Sequence, residues 1–246
     1  MIREMTPERL RGIQPDSEAA TKLLALTEAY GLECPFVRYW EGEGRLAAAL
    51  MEGRLTLFSP EDIGEETALF ISMQPEIRCL RTDRASAERL GCLLPGWRLE
   101  TGQVMRPGRM FEPSDSVSVP SPRALYPVLT ACFPGELPAF DAWYADVHHR
   151  LRHGLCRLAA VETDGGVAAC AMTTAECAGG AVIGAVATLP DYRGRGYASA
   201  CVSTLAASLQ KEGRRIYLSP KNAGAQRLYA GLGFVPCGEW GTLQRL

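Results

Sequence analysis

Thr188-Leu189-Pro190-Asp191-Tyr192-Arg193-Gly194-Arg195-Gly196-Tyr197-Ala198 is the stretch on which the fold turns. Upstream, Ala181 to Leu189 reads as a strand. Downstream, Arg195 to Lys211 reads as a long helix with Ala198, Cys201, Val202, Leu205 and Leu209 on one face. A strand therefore passes through a glycine-rich turn into a helix. The first amides of a helix have no internal partners, the helix dipole places partial positive charge there, and together they make an anion site. Gly194 and Gly196 allow close backbone approach, and Arg193 and Arg195 add charge. The residues alone predict a phosphate or pyrophosphate ligand.

Two nucleotide loops do not fit. A Walker A loop needs Gly-Lys-Ser/Thr, which is absent. A dinucleotide loop needs an acid at the end of the next strand, yet that strand closes on Tyr217-Leu218-Ser219-Pro220. The strands before the turn, Leu155 to Thr163 and Val167 to Ala175, are joined at Asp164-Gly165-Gly166 as a hairpin, which makes a meander. Helices are predicted at Pro122 to Phe133 and Phe140 to His153. A short helix follows at Asn222 to Gly231, capped by Asn222 and ended by Gly233, and then a last strand.

With these elements in place the second half resembles the GNAT acyltransferase superfamily. Arg193, Gly196 and Ala198 fill that family's Arg/Gln-x-x-Gly-x-Gly/Ala acyl-CoA loop. Asn222-Ala223-Gly224-Ala225-Gln226-Arg227-Leu228-Tyr229-Ala230-Gly231-Leu232-Gly233-Phe234 is similar to its Asn-x-x-Ala-x-x-Leu-Tyr-x-x-Leu-Gly-Phe segment. The resemblance implies a mostly antiparallel mixed sheet flanked by helices and acetyl-CoA as co-substrate, with no metal. It implies that the backbone of Val186, Ala187 and Thr188 pairs with the pantetheine arm. The amides of the turn, from Gly194 through Arg195, Gly196, Tyr197 and Ala198 to Ser199, hold the pyrophosphate beside Arg193. Asn222 contacts the cofactor near its thiol end, and Tyr229 protonates the departing thiolate. A phenol, with a pKa of about 10 above the thiol's of about 8.5, stays protonated and can donate.

The implied activity is an acetyl-CoA-dependent N-acyltransferase acting on a primary amine, of a small molecule or of a protein or peptide. A non-catalytic acyl-CoA-binding regulatory protein is the competing reading, because no carboxylate lies in Ala181 to Leu189. Glu176 on the preceding strand is the leading candidate for the general base. Glu162, His148 and His149 are weaker ones, and water-mediated deprotonation needs none of them.

Working outward, Arg106 to Pro122, RPGRMFEPSDSVSVPSP, breaks helical and strand periods alike. The expected organisation is an α+β domain over 1–110, a Pro/Ser-rich linker over 111–122 and a GNAT-like domain over 123–246. The first half shows a helix around Ala19 to Tyr30, begun by Pro15-Asp16-Ser17. Its strand candidates are Phe36 to Trp40, Arg45 to Met51, Arg54 to Phe58, Ala68 to Ser72, Ile77 to Leu80 and Trp97 to Met105. A short helix is expected at Ala85 to Leu90. It has no phosphate loop and reads as a degenerate copy of the same fold, walling an acceptor cleft, or as a stabilising appendage.

Composition narrows the class. The 246 residues are 47% hydrophobic and 22% charged, with a net charge of -2, an ordinary globular balance without a basic footprint for nucleic acid. No apolar run spans a bilayer, and the charged opening Met1-Ile2-Arg3-Glu4-Met5 lacks a signal peptide's apolar stretch. A cytoplasmic protein is expected, without membrane partners. Nine cysteines without a Cys-x-x-Cys read as reduced thiols. Oligomeric state is not legible.

Overall fold

The computed structural model describes residues 1–61 and 63–246. The chain forms two compact units. One comprises Met1–Met105, Ser219–Lys221 and Pro236–Leu246; the other comprises Arg106–Leu218 and Asn222–Val235. Both have mixed, mostly antiparallel sheets flanked by helices, the arrangement the resemblance implies for the second half.

In the first unit the order is β1 (Arg3–Glu4), α1 (Pro7–Arg11), α2 (Glu18–Tyr30), β2 (Val37–Glu41), β3 (Ala47–Met51), β4 (Arg54–Phe58), α3 (Glu65–Ser72), β5 (Cys79–Asp83), α4 (Arg84–Leu93) and β6 (Trp97–Pro107). Ser17 caps α2, its hydroxyl accepting from the Ala20 amide at 3.1 Å. Leu50, Leu55, Leu57, Ile71, Leu80 and Leu90 fill one core cluster.

The strand expected at Ala68 to Ser72 is instead helix α3. A short apolar run reads equally as strand or helix. Here Gly64 at the N-cap, followed by Glu65 and Glu66 in the first turn, suits a helix start.

The second unit runs α5 (Pro122–Cys132), α6 (Phe140–Arg152), β7 (Leu158–Thr163), β8 (Gly166–Cys177), β9 (Gly180–Thr188), α7 (Tyr197–Lys211), β10 (Arg215–Tyr217) and α8 (Ala223–Leu232). Its sheet has the order β10-β9-β8-β7, with β9 and β10 parallel and the other pairs antiparallel. Leu125, Leu129, Trp143 and Val147 of α5 and α6 pack with Cys170, Met172 and Ala187 of the sheet. Helix α7 packs against β7, β8 and β9, burying Cys201, Val202, Leu205 and Leu209.

The last strand, β11 (Phe234–Arg245), does not stay with its predecessor. Beyond Val235 it belongs to the first unit, whose sheet has the order β1-β2-β3-β4-β5-β11-β6. Trp240 to Gln244 pair antiparallel with Asp83 to Cys79. Gly241 is required there, because a Cβ would collide with Ala87 of α4. The expected boundaries of 110 and 122 therefore differ from those observed: the first unit ends at Met105 and regains 236–246. Residues 111–122 are not a free linker either. The Phe111 ring packs on Phe234 at 4.9 Å, and Ser118 forms a bridge with Ala160. No helix is long and apolar enough to cross a membrane among the described residues.

Candidate active site

Strand β9 carries the site because it loses its neighbour. Strand β10 pairs only Arg215 to Tyr217 with Gly180 to Val182, while β9 continues to Thr188. Among the described residues, 183–188 therefore present an edge with no strand beside it on that side. Such an edge offers amides and carbonyls to an extended ligand in the manner of an added strand. Val186, Ala187 and Thr188, the predicted pantetheine segment, lie on it. The Thr188 carbonyl already accepts from Arg193 Nε at 3.2 Å and from Cys132 Sγ at 3.5 Å.

The edge is also kinked. Met172 pairs with Gly184 and Cys170 with Ala187, so Ala185 and Val186 together oppose Ala171. Ala185 has φ 49, a left-handed conformation rare for a residue with a Cβ. This is a β-bulge, which re-aims backbone groups locally. The sequence gives no signal for it beyond the neighbouring Gly184.

Past Thr188 the chain makes a 3-10 turn at Pro190–Tyr192 and enters α7. Gly194 and Gly196 have φ 76 and 79. A Cβ at either would meet nothing within 4 Å, so these positions require glycine for backbone conformation, and the space before them is open. Gly196 is the N-cap of α7, with no side-chain cap and no acid in the first turn. Among the described residues, the amides of Gly194 to Ser199 meet no acceptor; the Ala200 amide is the first to find one, the Gly196 carbonyl at 3.0 Å. Arg193 and Arg195 are exposed. The Arg195 guanidinium lies over the Tyr192 ring at 5.4 Å and donates to the Asp191 carbonyl. Six unpartnered amides at a helix N-terminus, flanked by two guanidiniums and open space, fit a pyrophosphate.

Asn222 and Tyr229 share α8. Asn222 Oδ1 caps the helix, accepting from the Ala225 amide at 2.9 Å, and the residue is exposed. Tyr229 is the one buried residue of α8, set edge-on to Phe234 at 6.2 Å between ring centroids. Burial pushes its phenol up to about 12.

Glu176 does not suit the role of base. It is 1% exposed. Its Oε1 accepts from Arg157 Nε at 3.0 Å and Arg214 Nη1 at 2.9 Å, and its Oε2 from Thr173 Oγ1 at 2.8 Å. It pairs with Ala181, at the opposite end of β9 from Thr188. A carboxylate with both oxygens engaged by two arginines and a hydroxyl is a structural counter-charge. Arg157 and Arg214 lie 19 and 38 residues away along the chain, so local sequence gave no warning. Glu162 is exposed, with Oε1 accepting from Ser118 Oγ at 2.7 Å. His148 stacks on Tyr144 at 5.4 Å on α6. No group of three or more metal-ligating side chains occurs among the described residues.

Pairing of β10 with β9 stops at Tyr217, β9 runs on as a bulged edge, and an uncapped glycine turn opens α7. Residues 123–234 match the Acetyltransferase (GNAT) family. Solved structures extend the likeness of fold to nearly the whole chain. A GCN5-related N-acetyltransferase from Sphaerobacter thermophilus is similar with TM-score 0.61 at 20% identity, over 99% of this chain and 94% of that one. A GCN5-related N-acetyltransferase-like protein from Streptococcus suis has TM-score 0.60 at 18% identity, over 96% and 98%. A tandem GNAT protein from the clavulanic acid biosynthesis pathway has TM-score 0.59 at 14% identity, over 99% and 97%. No curated protein sequence matches the chain.

Proposed function

We propose that the protein transfers the acetyl group of acetyl-CoA to a primary amine, on a small molecule or on a protein or peptide. The observation that carries this reading is the conjunction of the partnerless amides at Gly194–Ser199 with the open, bulged edge at 183–188. Acetyl-CoA supplies an activated thioester. The turn amides and Arg193 hold its pyrophosphate, and the backbone of Val186 to Thr188 aligns the arm. An amide at the bulge, Val186 or Ala187, donates to the thioester oxygen as negative charge gathers there. The amine nitrogen forms the new C–N bond, the C–S bond breaks, and the amine's proton leaves to water.

Tyr229 serves the departing sulfur as a hydrogen-bond donor. With the phenol near 12 and a thiol at about 8.5, full proton transfer from Tyr229 runs uphill, so the phenol steadies the thiolate and solvent delivers the proton. The role of Glu176 passes to no other side chain: an amine that arrives neutral, or loses its proton through water, needs no dedicated base.

The test is release of free thiol from acetyl-CoA across a panel of amines, with products identified by mass spectrometry. Turnover with one acceptor class supports the reading. CoA binding without turnover across small amines and peptide amines would favour the competing one, a regulatory acyl-CoA-binding protein.

A further inference from the structure

The first unit contains a cavity of about 360 Å³, near the lower end of the about 300–1,000 Å³ range of small-molecule sites. Its walls come from the segment before α2, the ends of β2 and β4, and the 3-10 turn at Glu43–Arg45. Most charges in it are already matched. Glu41, 2% exposed, takes Arg3 at 2.7 Å and the Thr6 amide and hydroxyl at 3.0 and 2.9 Å. Arg9 donates to the Gly42 carbonyl at 2.8 Å and lies 3.9 Å from Glu41. Glu8 pairs with Arg11.

Two charges are left over. Neither the Arg45 guanidinium nor the Asp16 carboxylate has a partner among the described residues; both are exposed and line the open side of the cavity. Arg45 is held there at a cost: its φ is 62, left-handed, beside Gly44 at 60. A non-glycine residue in that region carries about 1–2 kcal/mol of strain, and such strain concentrates at ligand-binding positions. The same lining includes an apolar part, buried Ile13 and half-buried Phe58. One free cation, one free anion and an apolar wall in one small cavity complement a molecule with one anionic end, one cationic end and a hydrocarbon branch.

We infer that this cavity binds a free α-amino acid with an aliphatic side chain, its carboxylate on Arg45, its ammonium on Asp16 and its side chain against Ile13 and Phe58. The inference is independent of acetyl transfer, and its test needs no activity. Titration calorimetry on the full chain compares L-leucine with N-acetyl-leucine, which lacks the ammonium, and leucinamide, which lacks the carboxylate. The variants are Arg45→Gly and Asp16→Asn. Glycine is at home at φ 62, so Arg45→Gly removes the guanidinium without burdening the fold, and its unliganded Tm verifies this. The expected result is a leucine Kd at or below about 1 mM, weakened at least about tenfold by either analogue and by either substitution. Absence of leucine binding, equal binding of the analogues, or unchanged affinity in a folded Arg45→Gly protein overturns the inference.

Discussion

The turn after β9 and the turn after β4 stand at the same step of two parallel itineraries. In each unit two helices precede three antiparallel strands, a helix, a strand paired parallel to the third and a further helix; the strands that follow, β6 and β11, both lie in the first unit's sheet. Their chemistry is opposite. The second unit meets the positive end of α7 with glycines, arginines and no acid. The first unit meets the positive end of α3 with Glu65 and Glu66, after Glu61 and Asp62 in the connecting sequence. Glu66 accepts from the Ile2 amide at 3.0 Å. The strand edges differ as well. Strand β4 runs only two residues, 57 and 58, past its last partner in β5, in regular register with β3. Strand β9 runs on through 183–188 with a bulge. One architecture thus yields an anion cradle or an anion-repelling turn according to a handful of residues, which supports reading the first half as a degenerate copy.

The largest expected effect falls on β11, most of which belongs to the first unit. Strand β11 supplies the first unit's sheet with fully buried Leu243 and with Trp240, whose ring lies 4.0 Å from the Arg81 guanidinium. Ending the chain at Val235 splits β5 from β6 and uncovers the core around Leu80 and Leu90. Losing a central strand and its core residues exceeds the about 5–15 kcal/mol that stabilises a domain. Circular dichroism and calorimetry of the truncated chain should show the first unit's transition abolished. A fragment confined to the second half therefore lacks its last strand's partners.

The second break point is the turn itself. Gly196→Glu places a Cβ at φ 79 and a carboxylate at the N-terminus of α7, recreating the acidic turn of the first unit. Strain plus the reversed charge should weaken CoA binding by about 10³-fold, or about 4 kcal/mol. Calorimetry on the parent should also give one CoA per chain, since only one of the two turns suits the anion. A stoichiometry of two would break the comparison outright.

The third concerns α8. Tyr229→Phe keeps the buried ring against Phe234 and removes only the hydroxyl. The expected loss is about 10²-fold in kcat with CoA affinity unchanged, as for deletion of a donor acting in the transition state. Unchanged kcat would reduce Tyr229 to the anchor of α8.

These contrasts also show what was readable in the residues. Local chemistry was readable: the glycine turn, α7, the hairpin at Asp164–Gly166 and α8 fall within a few residues of their expected places, because caps, periodicity and turn residues act over one or two helical turns. Long-range pairing was not. Nothing in Phe234 to Arg245 says that the strand pairs with Cys79–Asp83, and nothing near Glu176 says that Arg157 and Arg214 close on it. The expectation about Glu176 rested on proximity along strands, whereas burial and pairing with residues distant in sequence decide what a carboxylate does. The splay of β10 from β9 follows from where pairing stops at Tyr217, again a property of two distant segments.

The smallest predicted effect follows from that same rule about carboxylates. Each unit buries a carboxylate between two cations: Glu176 with Arg157 and Arg214, and Glu18 with Lys22 and Arg81. At Glu18 burial pulls the carboxyl upward, but Lys22 at 2.6 Å and Arg81 at 2.9 Å outweigh it and hold the group at about 2, below its ordinary 4.5. Ser219 Oγ donates to the same carboxylate at 2.8 Å. A depressed folded-state pKa means that the unfolded chain binds the proton more tightly. The stabilisation is then complete above pH 4.5 and drains away as pH falls toward 2. One pH unit inside that window is worth up to about 1.4 kcal/mol, so between pH 5 and 3 the first unit should lose about 2 kcal/mol through this group. Glu18→Gln should cost about 3 kcal/mol at neutral pH by leaving Lys22 and Arg81 without their counter-charge. It should also flatten the acid limb of a urea-denaturation series between pH 5 and 3. An acid limb as steep in the Gln variant as in the parent would place the acid sensitivity elsewhere, with Glu41 the next group to test, since it too is held below its ordinary range.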